Sequence, residues 1–322
     1  MAQSGSADAP GVSVIIPVLG ADGRLRDTIA LIRNQDYDGP IEIVVADGDG
    51  SAAAFVDEEV VIVDNPGGRT PDGLNRAIEA ARYDIIARCD AHSNLPAGYL
   101  STAVATLKDT DADNVGGRQV PVGSTWIERA IAAAMGSAFG AGDAKYRIGG
   151  DAGPTDTVYL GVYRRSALER TGGFDTRFLR NQDYELNWRI RRTGGVVWFE
   201  PKLEVAYRPR SDLAGLWSQY HQYGWWKREM LARHPGSLRW RQLAAPGLVV
   251  GVVMGGVAAV GLQRPLIAAL VPGLYAVVVS VATIAAVIKH GLPGFGVALA
   301  LPTMHLGWGT GFIRRTLSGK RP

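Results

Sequence analysis

Charged side chains are spread through the chain up to Arg241 and then all but vanish, with only Arg264 and Lys289 left between residues 243 and 313. Three apolar stretches fill that region, 243–262, 266–288 and 292–313, each about as long as the ~20-residue helix that a bilayer core requires. They are rich in Gly and Ala, which suits close helix packing in lipid. A chain of this kind cannot be one uniform soluble globule: a polar part must precede a part whose solvent is lipid or protein core. Trp217, Trp225, Trp226 and Trp240 stand just before the first stretch with Lys227, Arg228, Arg233, Arg239 and Arg241. That mixture belongs at a membrane surface and predicts amphipathic interfacial helices over 212–242. Three full spans would carry the basic tail 314–322, with Arg314, Arg315, Lys320 and Arg321, to the far side. The positive-inside tendency would keep it with the other cations. A re-entrant or interfacial third stretch is the alternative, and Pro272, Pro293 and Pro302 allow broken helices. A soluble helical core remains the competing reading.

The first ten residues, MAQSGSADAP, are small and polar. They read as a disordered N-terminus (1–10) without the basic-then-apolar pattern of a signal peptide, so the expectation is a cytoplasmic N-terminal part. Cys89 is the only cysteine, which excludes an internal disulfide and a cysteine-based zinc cluster. A formal net charge of +3 suits an anionic ligand or an anionic membrane surface without choosing between them.

VSVIIPV (12–18), 41–46, 60–63 and 84–88 are short β-branched runs that read as buried strands. Helical spacing over 24–34 and 70–81 lies between them, with Pro71 in the first turn of the second. Such alternation predicts an α/β fold with a parallel sheet covered by helices, and ligands beyond the carboxyl ends of its strands. Asp47, Asp64 and Asp90 sit at such ends. The stretch 111–156 is harder to assign beyond a helix over 127–139. Strands at 158–162 and 196–199 and helices near 166–170 and 183–192 follow.

Taken in order, VSVIIPV, a strand ending in Asp47-Gly48-Asp49-Gly50-Ser51, NPGGRTPDGLNRAI, CDAH and GGFDTRFLRNQDYELNWR resemble the inverting glycosyltransferases of family 2. The likeness is closest to succinoglycan-type exopolysaccharide glucosyltransferases, in which Asp-x-Asp reads Asp-Ala-His. It covers roughly residues 11–235. The resemblance implies the GT-A nucleotide-diphospho-sugar transferase fold, a mostly parallel sheet flanked by helices. A cytoplasmic catalytic domain (11–211) would precede a C-terminal helical membrane region (243–313) with up to three transmembrane helices. The implied activity is transfer of a sugar from a UDP-sugar, UDP-glucose being the candidate, to a polyprenyl-linked glycan acceptor at the cytoplasmic face of the inner membrane. Donor, lipid-linked acceptor and bilayer are then the partners, with no nucleic acid among them. The oligomeric state stays open.

A departing nucleoside diphosphate needs its growing charge neutralised, which a divalent cation, Mn²⁺ or Mg²⁺, does as a Lewis acid. Asp90 and His92, two residues apart at a strand exit, are the expected metal ligands. His92 suits Mn²⁺ better than Mg²⁺ and reaches a phosphate in the alternative reading. Either residue also reads as an ordinary loop side chain. Asp47 matches the family aspartate that accepts a hydrogen bond from uracil, with Asp49 assisting, although DGDGS is equally a turn sequence. Arg69 and Asn75 fall in the nucleotide-side segment, where Arg69 could grip a phosphate bidentately or serve only structure. Asp183 matches the general base, which takes the acceptor hydroxyl's proton as it attacks the anomeric carbon. Gln182 stands beside it where many members carry Glu, and N-capping is the alternative role for Asp183. Gln222 and Trp226 occupy a Gln-x-x-Arg-Trp position in which Trp225 replaces Arg, with Lys227 as substitute charge. Three rivals stay open: a polyprenyl-phosphate sugar synthase, a non-catalytic nucleotide-sugar-binding membrane scaffold and a nucleotidyltransferase.

Overall fold

The computed structural model describes residues 9–319, so the N-terminal expectation, apart from Ala9 and Pro10, falls outside the described residues, as do Lys320 and Arg321. Along the chain the elements begin β1 (Val12–Val18), α1 (Gly23–Arg33), β2 (Ile41–Asp47), β3 (Val61–Asp64), α2 (Thr70–Ala80), β4 (Ile85–Arg88) and α3 (Tyr99–Thr110). Next come β5 (Asn114–Pro121), α4 (Trp126–Met135), α5 (Ala138–Ala141), α6 (Lys145–Ile148), β6 (Gly153–Pro154), β7 (Tyr159–Arg164) and α7 (Arg165–Thr171). The last are α8 (Gln182–Arg192), β8 (Val197–Tyr207), α9 (Leu213–Arg233), α10 (Ala244–Gly261), α11 (Leu266–His290) and α12 (Val297–Leu317).

Two compact units result. The first takes the chain up to Val120 together with Gly149–Ala206, and the second takes Pro121–Ile148 together with the chain from Tyr207. The span 11–211, expected as one catalytic segment, is therefore interrupted by 121–148, whose helices belong to the second unit.

The first unit is built on a sheet of order β3-β2-β1-β4-β7-β5-β8-β6. The first four strands are parallel, as the alternation predicts, whereas β7 runs antiparallel to both β4 and β5, and β6 to β8. Helix α1 starts where the Asp22 carboxylate accepts the Arg24 N–H at 2.9 Å, and it buries Leu25, Ile29 and Ile32 on one face. β5 lies in the stretch the sequence left unassigned. Its NVGGRQVP lacks alternation because Gly116 and Gly117 face the backbones of Tyr159 and Leu203 too closely to admit a Cβ.

β4 sits between β1 and β7, and a core cluster covers each of its faces. Ala87 and Cys89 pack in one core cluster and Ile86 in the other. Strand alternation puts Arg88 on the Ile86 face, toward the cluster that holds Phe174 and Leu186 of the α8 side. Cys89 is fully buried on the opposite face, as a packing residue should be.

In the second unit α4 opens with a capping box, in which Thr125 Oγ1 accepts from Glu128 N and the Glu128 carboxylate accepts from Thr125 N. Two helices here are long and apolar enough to cross a membrane, Trp240–Gly261 and Leu266–His290, each 11% buried over its apolar window. They pack antiparallel, with Gly251 against Val271 and Gly255 against Ile267. The third stretch folds differently. α12 buries Val297, Ala300, Leu301 and Met304 in a core cluster with Ile131, Ala134 and Leu216.

α12 also runs parallel along α9. Gly307 meets Trp217, Gly311 meets His221, and Thr316 accepts from Arg228 at 3.2 Å. Arg314 and Arg315, expected in a basic tail, are last-turn residues of this helix. Arg315 is buried and donates to Glu229, with Nε to Oε2 at 2.9 Å, and Glu229 also takes Arg233 at 3.2 Å. Gly224 of α9 lies against the Trp308 carbonyl, leaving no room for a Cβ. Gly224→Ala should therefore destabilise the second unit by about 1–3 kcal/mol through overpacking. Denaturant unfolding of the full chain in detergent checks this, and an unchanged midpoint would contradict the packing.

Candidate active site

A buried arginine and two carboxylates meet at the carboxyl end of β4. Arg88 is the last residue of the strand, and its side chain is only 8% exposed. Its guanidinium donates to Asp90 Oδ1 at 3.0 Å and to Asp183 Oδ1. One buried cation thus holds both the expected metal ligand and the expected base. Asp90 is 30% exposed and Asp183 37%, so each presents its carboxylate at a surface while resting on a buried partner. The second oxygens of Asp90 and Asp183 make no hydrogen bond among the described residues. Burial works against the Arg88 charge, but its neighbours, the Asp90 carboxylate foremost, together raise the guanidinium above its usual value.

Asp183 is the second residue of α8, whose N-cap is Asn181 in the left-handed region at φ 61°. The capping role considered for Asp183 is thereby replaced by the ion pair. Gln182 is buried as the first residue of the helix. Glu185, one helical step further, is buried and bonded to Arg189 at 2.6 and 2.7 Å. The loop before α8 is tied rather than loose. Arg189 donates to the Gly173 carbonyl at 2.8 Å. Asn75 clamps Phe174 at both backbone atoms, 2.8 Å each. Arg69, half exposed, donates to the Thr176 carbonyl and lies 3.6 Å from Asp72. Asn75 and Arg69, expected on the nucleotide side, thus secure the loop that leads to Asp183.

Asp47 is buried, and both its oxygens serve its own loop. Oδ1 accepts from Asp49 N and Gly50 N at 3.2 and 3.1 Å, and Oδ2 accepts from Ala52 N at 2.8 Å. Any base reading by Asp47 would compete with those bonds. Asp49 joins this loop to the exit of β1 by accepting from Gly20 N at 2.9 Å and from Ser51 Oγ at 2.5 Å.

His92 is exposed, in the turn that follows Asp90. Among the described residues no three His, Cys, Asp or Glu side chains gather into a metal cage. A cation held at Asp90 would have to bring most of its own ligands, as one shared with a diphosphate does. Gln222 and Trp226 lie on α9 of the second unit, with Gln222 Nε2 3.4 Å from Ser218 Oγ. Lys227 does not supply the missing charge: its ammonium is buried and donates to the Ser237 carbonyl at 2.9 Å. Beside it, the Arg315 guanidinium lies 5.7 Å from the Trp225 ring. Arg88 was not among the residues singled out in the sequence. The signal was available, since an arginine closing an apolar strand and sharing parity with Asp90 needs a buried counter-ion.

The chain is similar to known proteins over different lengths. The chain is 29% identical over 328 residues to the succinoglycan biosynthesis protein ExoA of Rhizobium meliloti (strain 1021), covering 96% of each. It is 23% identical over 272 residues to a pre-mycofactocin glycosyltransferase of Mycobacterium tuberculosis (strain ATCC 25618 / H37Rv), covering 81% of this chain and 56% of that one. Among solved structures, the mannosyltransferase PcManGT from Pyrobaculum calidifontis in complex with GDP-Man and Mn²⁺ superposes with a TM-score of 0.59. That likeness is at 20% identity and covers 98% of this chain and 89% of the other, so it speaks to the fold. Residues 13–172 match the family described as Glycosyl transferase family 2, and together with the sheet order they show that this chain carries a family 2 glycosyltransferase domain of GT-A fold.

Proposed function

We propose that this chain is a membrane-anchored inverting glycosyltransferase that moves a sugar from a UDP-sugar to a polyprenyl-linked glycan. The observation that carries the reading is the sharing of one guanidinium by Asp90 and Asp183, which keeps a cation-binding acid and a candidate base within one site. Asp183 Oδ2 would take the proton of the acceptor hydroxyl as it attacks the anomeric carbon. Asp90, with His92 beside it, would hold Mn²⁺ or Mg²⁺, which when bound neutralises charge on the departing diphosphate. Arg69 would exchange its bond to the Thr176 carbonyl for a phosphate, and the 47–51 loop would line the base side with Asp47 and Asp49. Gln182 supports the start of α8, and Gln222 and Trp226 are proposed as acceptor contacts. The name of the succinoglycan relative supports exopolysaccharide assembly, with UDP-glucose as the first donor to try. The GDP-Man of the solved relative makes GDP-sugars the second.

The second unit also supports a membrane arrangement with two crossings. α10 and α11 form an antiparallel pair, so crossing and returning brings the chain back to the leaflet it left. The end of α12, bonded to α9 through Glu229 and Arg315, then stays on the cytoplasmic side with Arg239 and Arg241. This reconciles the basic residues with the positive-inside tendency, which three spans would violate.

Two measurements test the proposal. Purified protein in lipid should release nucleoside diphosphate from its donor only with a polyprenyl-linked acceptor and a divalent cation. Asp183→Asn should lower that rate by about 10²–10⁴-fold while nucleotide binding persists. A variant that keeps most of its activity would favour the polyprenyl-phosphate synthase, whose ionised phosphate needs no base. For topology, Ser211→Cys and Ser318→Cys should both react with an impermeant maleimide in inside-out vesicles and neither in right-side-out ones. Cys89 is buried and contributes little background. Labelling of the two positions from opposite sides would restore the third span.

A further inference from the structure

We infer that Arg88 is a positioning residue that holds the base in place and competes with the metal ion for Asp90, an inference that rests on the function proposed above. Three observations carry it. Arg88 closes a strand with neighbours on both sides, and its side chain is more than nine-tenths buried, so its position is set by the sheet. Its two terminal nitrogens bind one carboxylate each, from residues 2 and 95 positions away. Its Nε is a buried donor without a partner, so the guanidinium is held by those two acids alone.

The consequence is a trade. A guanidinium paired with Asp90 neutralises the charge that would attract a cation, so the protein alone should bind a divalent ion weakly. A cation arriving with a diphosphate brings oxygen ligands of its own and can use the second Asp90 oxygen. Meanwhile the other prong of Arg88 keeps Asp183 oriented. The planar fork is suited to this in a way that the point charge of lysine is not. Removing Arg88 should therefore have opposite effects on two quantities. Two adjacent carboxylates without a counter-ion should bind a bare cation better, while the loosened base should work worse.

The test is a titration of the full chain in lipid with Mn²⁺ alone, followed by the resonance of free Mn²⁺, beside steady-state nucleoside diphosphate release. Arg88→Gln should bind bare Mn²⁺ about tenfold more tightly than the unaltered protein. Its kcat should fall about a hundredfold as the base loses its orientation. Arg88→Lys keeps the charge and serves if the glutamine variant does not fold. It should leave Mn²⁺ affinity within about twofold yet still lower kcat, because one ammonium cannot bridge both acids. Asp90→Asn should abolish the Mn²⁺ signal. A purely structural Arg88 would weaken binding and turnover together. Weaker or unchanged Mn²⁺ binding in Arg88→Gln, or full kcat in Arg88→Lys, overturns the inference. If the unaltered protein turns over no donor, the proposed function fails on its own, while the Mn²⁺ titration still decides the role of Arg88.

Discussion

A buried guanidinium must be paired, and in this chain that requirement organises the first unit. Removing one partner of a buried ion pair typically costs about 3–5 kcal/mol, since the remaining charge is left without compensation. Arg88 meets the requirement with two acids from distant parts of the sequence, one leaving its own strand and one opening α8. The sheet therefore fixes the cation, and the cation fixes where the acids can lie. α8 in turn depends on a loop held by Asn75, Arg69 and Arg189. Each of these side chains bonds backbone carbonyls, so the approach to Asp183 is secured by polar contacts rather than by apolar packing alone.

Much of this was legible in the residues. The β-branched runs identified β1, β2 and β4 because strands covered on both faces leave a continuous apolar trace. β3, expected to be buried, is instead the edge strand of the sheet, with Val61 and Ile62 exposed. Asp183 and Asp90 stood out through their position in ordered motifs, and the structure brings both to one guanidinium. Asp47 and Asn75 matched family positions for ligand contact, yet the oxygens of Asp47 serve its own loop and the amide of Asn75, on α2, holds Phe174 in the loop before α8. A motif identifies the position of such a side chain but does not show which hydrogen bonds it already makes. β5 was hidden because a strand whose glycines admit neighbouring backbones carries no alternation of its own.

The C-terminal helices show a different limit. Hydropathy treats the three apolar stretches alike, whereas packing separates them. α10 and α11 leave their apolar surface open, while α12 buries its first half among other helices and its last turn against Glu229. Its glycines divide by helical parity: Gly307 and Gly311 face α9, and Gly309 faces Ala245 of α10. One acid in an aromatic, basic helix was the available clue, since a buried Glu229 requires cations and the chain supplies Arg233 and Arg315.

The most direct measurement of the central claim is an experimental structure with nucleoside diphosphate and Mn²⁺ bound. The account predicts the cation at about 2.0–2.6 Å from an Asp90 oxygen. The diphosphate should be on that cation, and the Asp183 carboxylate should face the space where the sugar is carried. A cation and diphosphate seated elsewhere, with Asp90 and Asp183 still closed on Arg88, would contradict it.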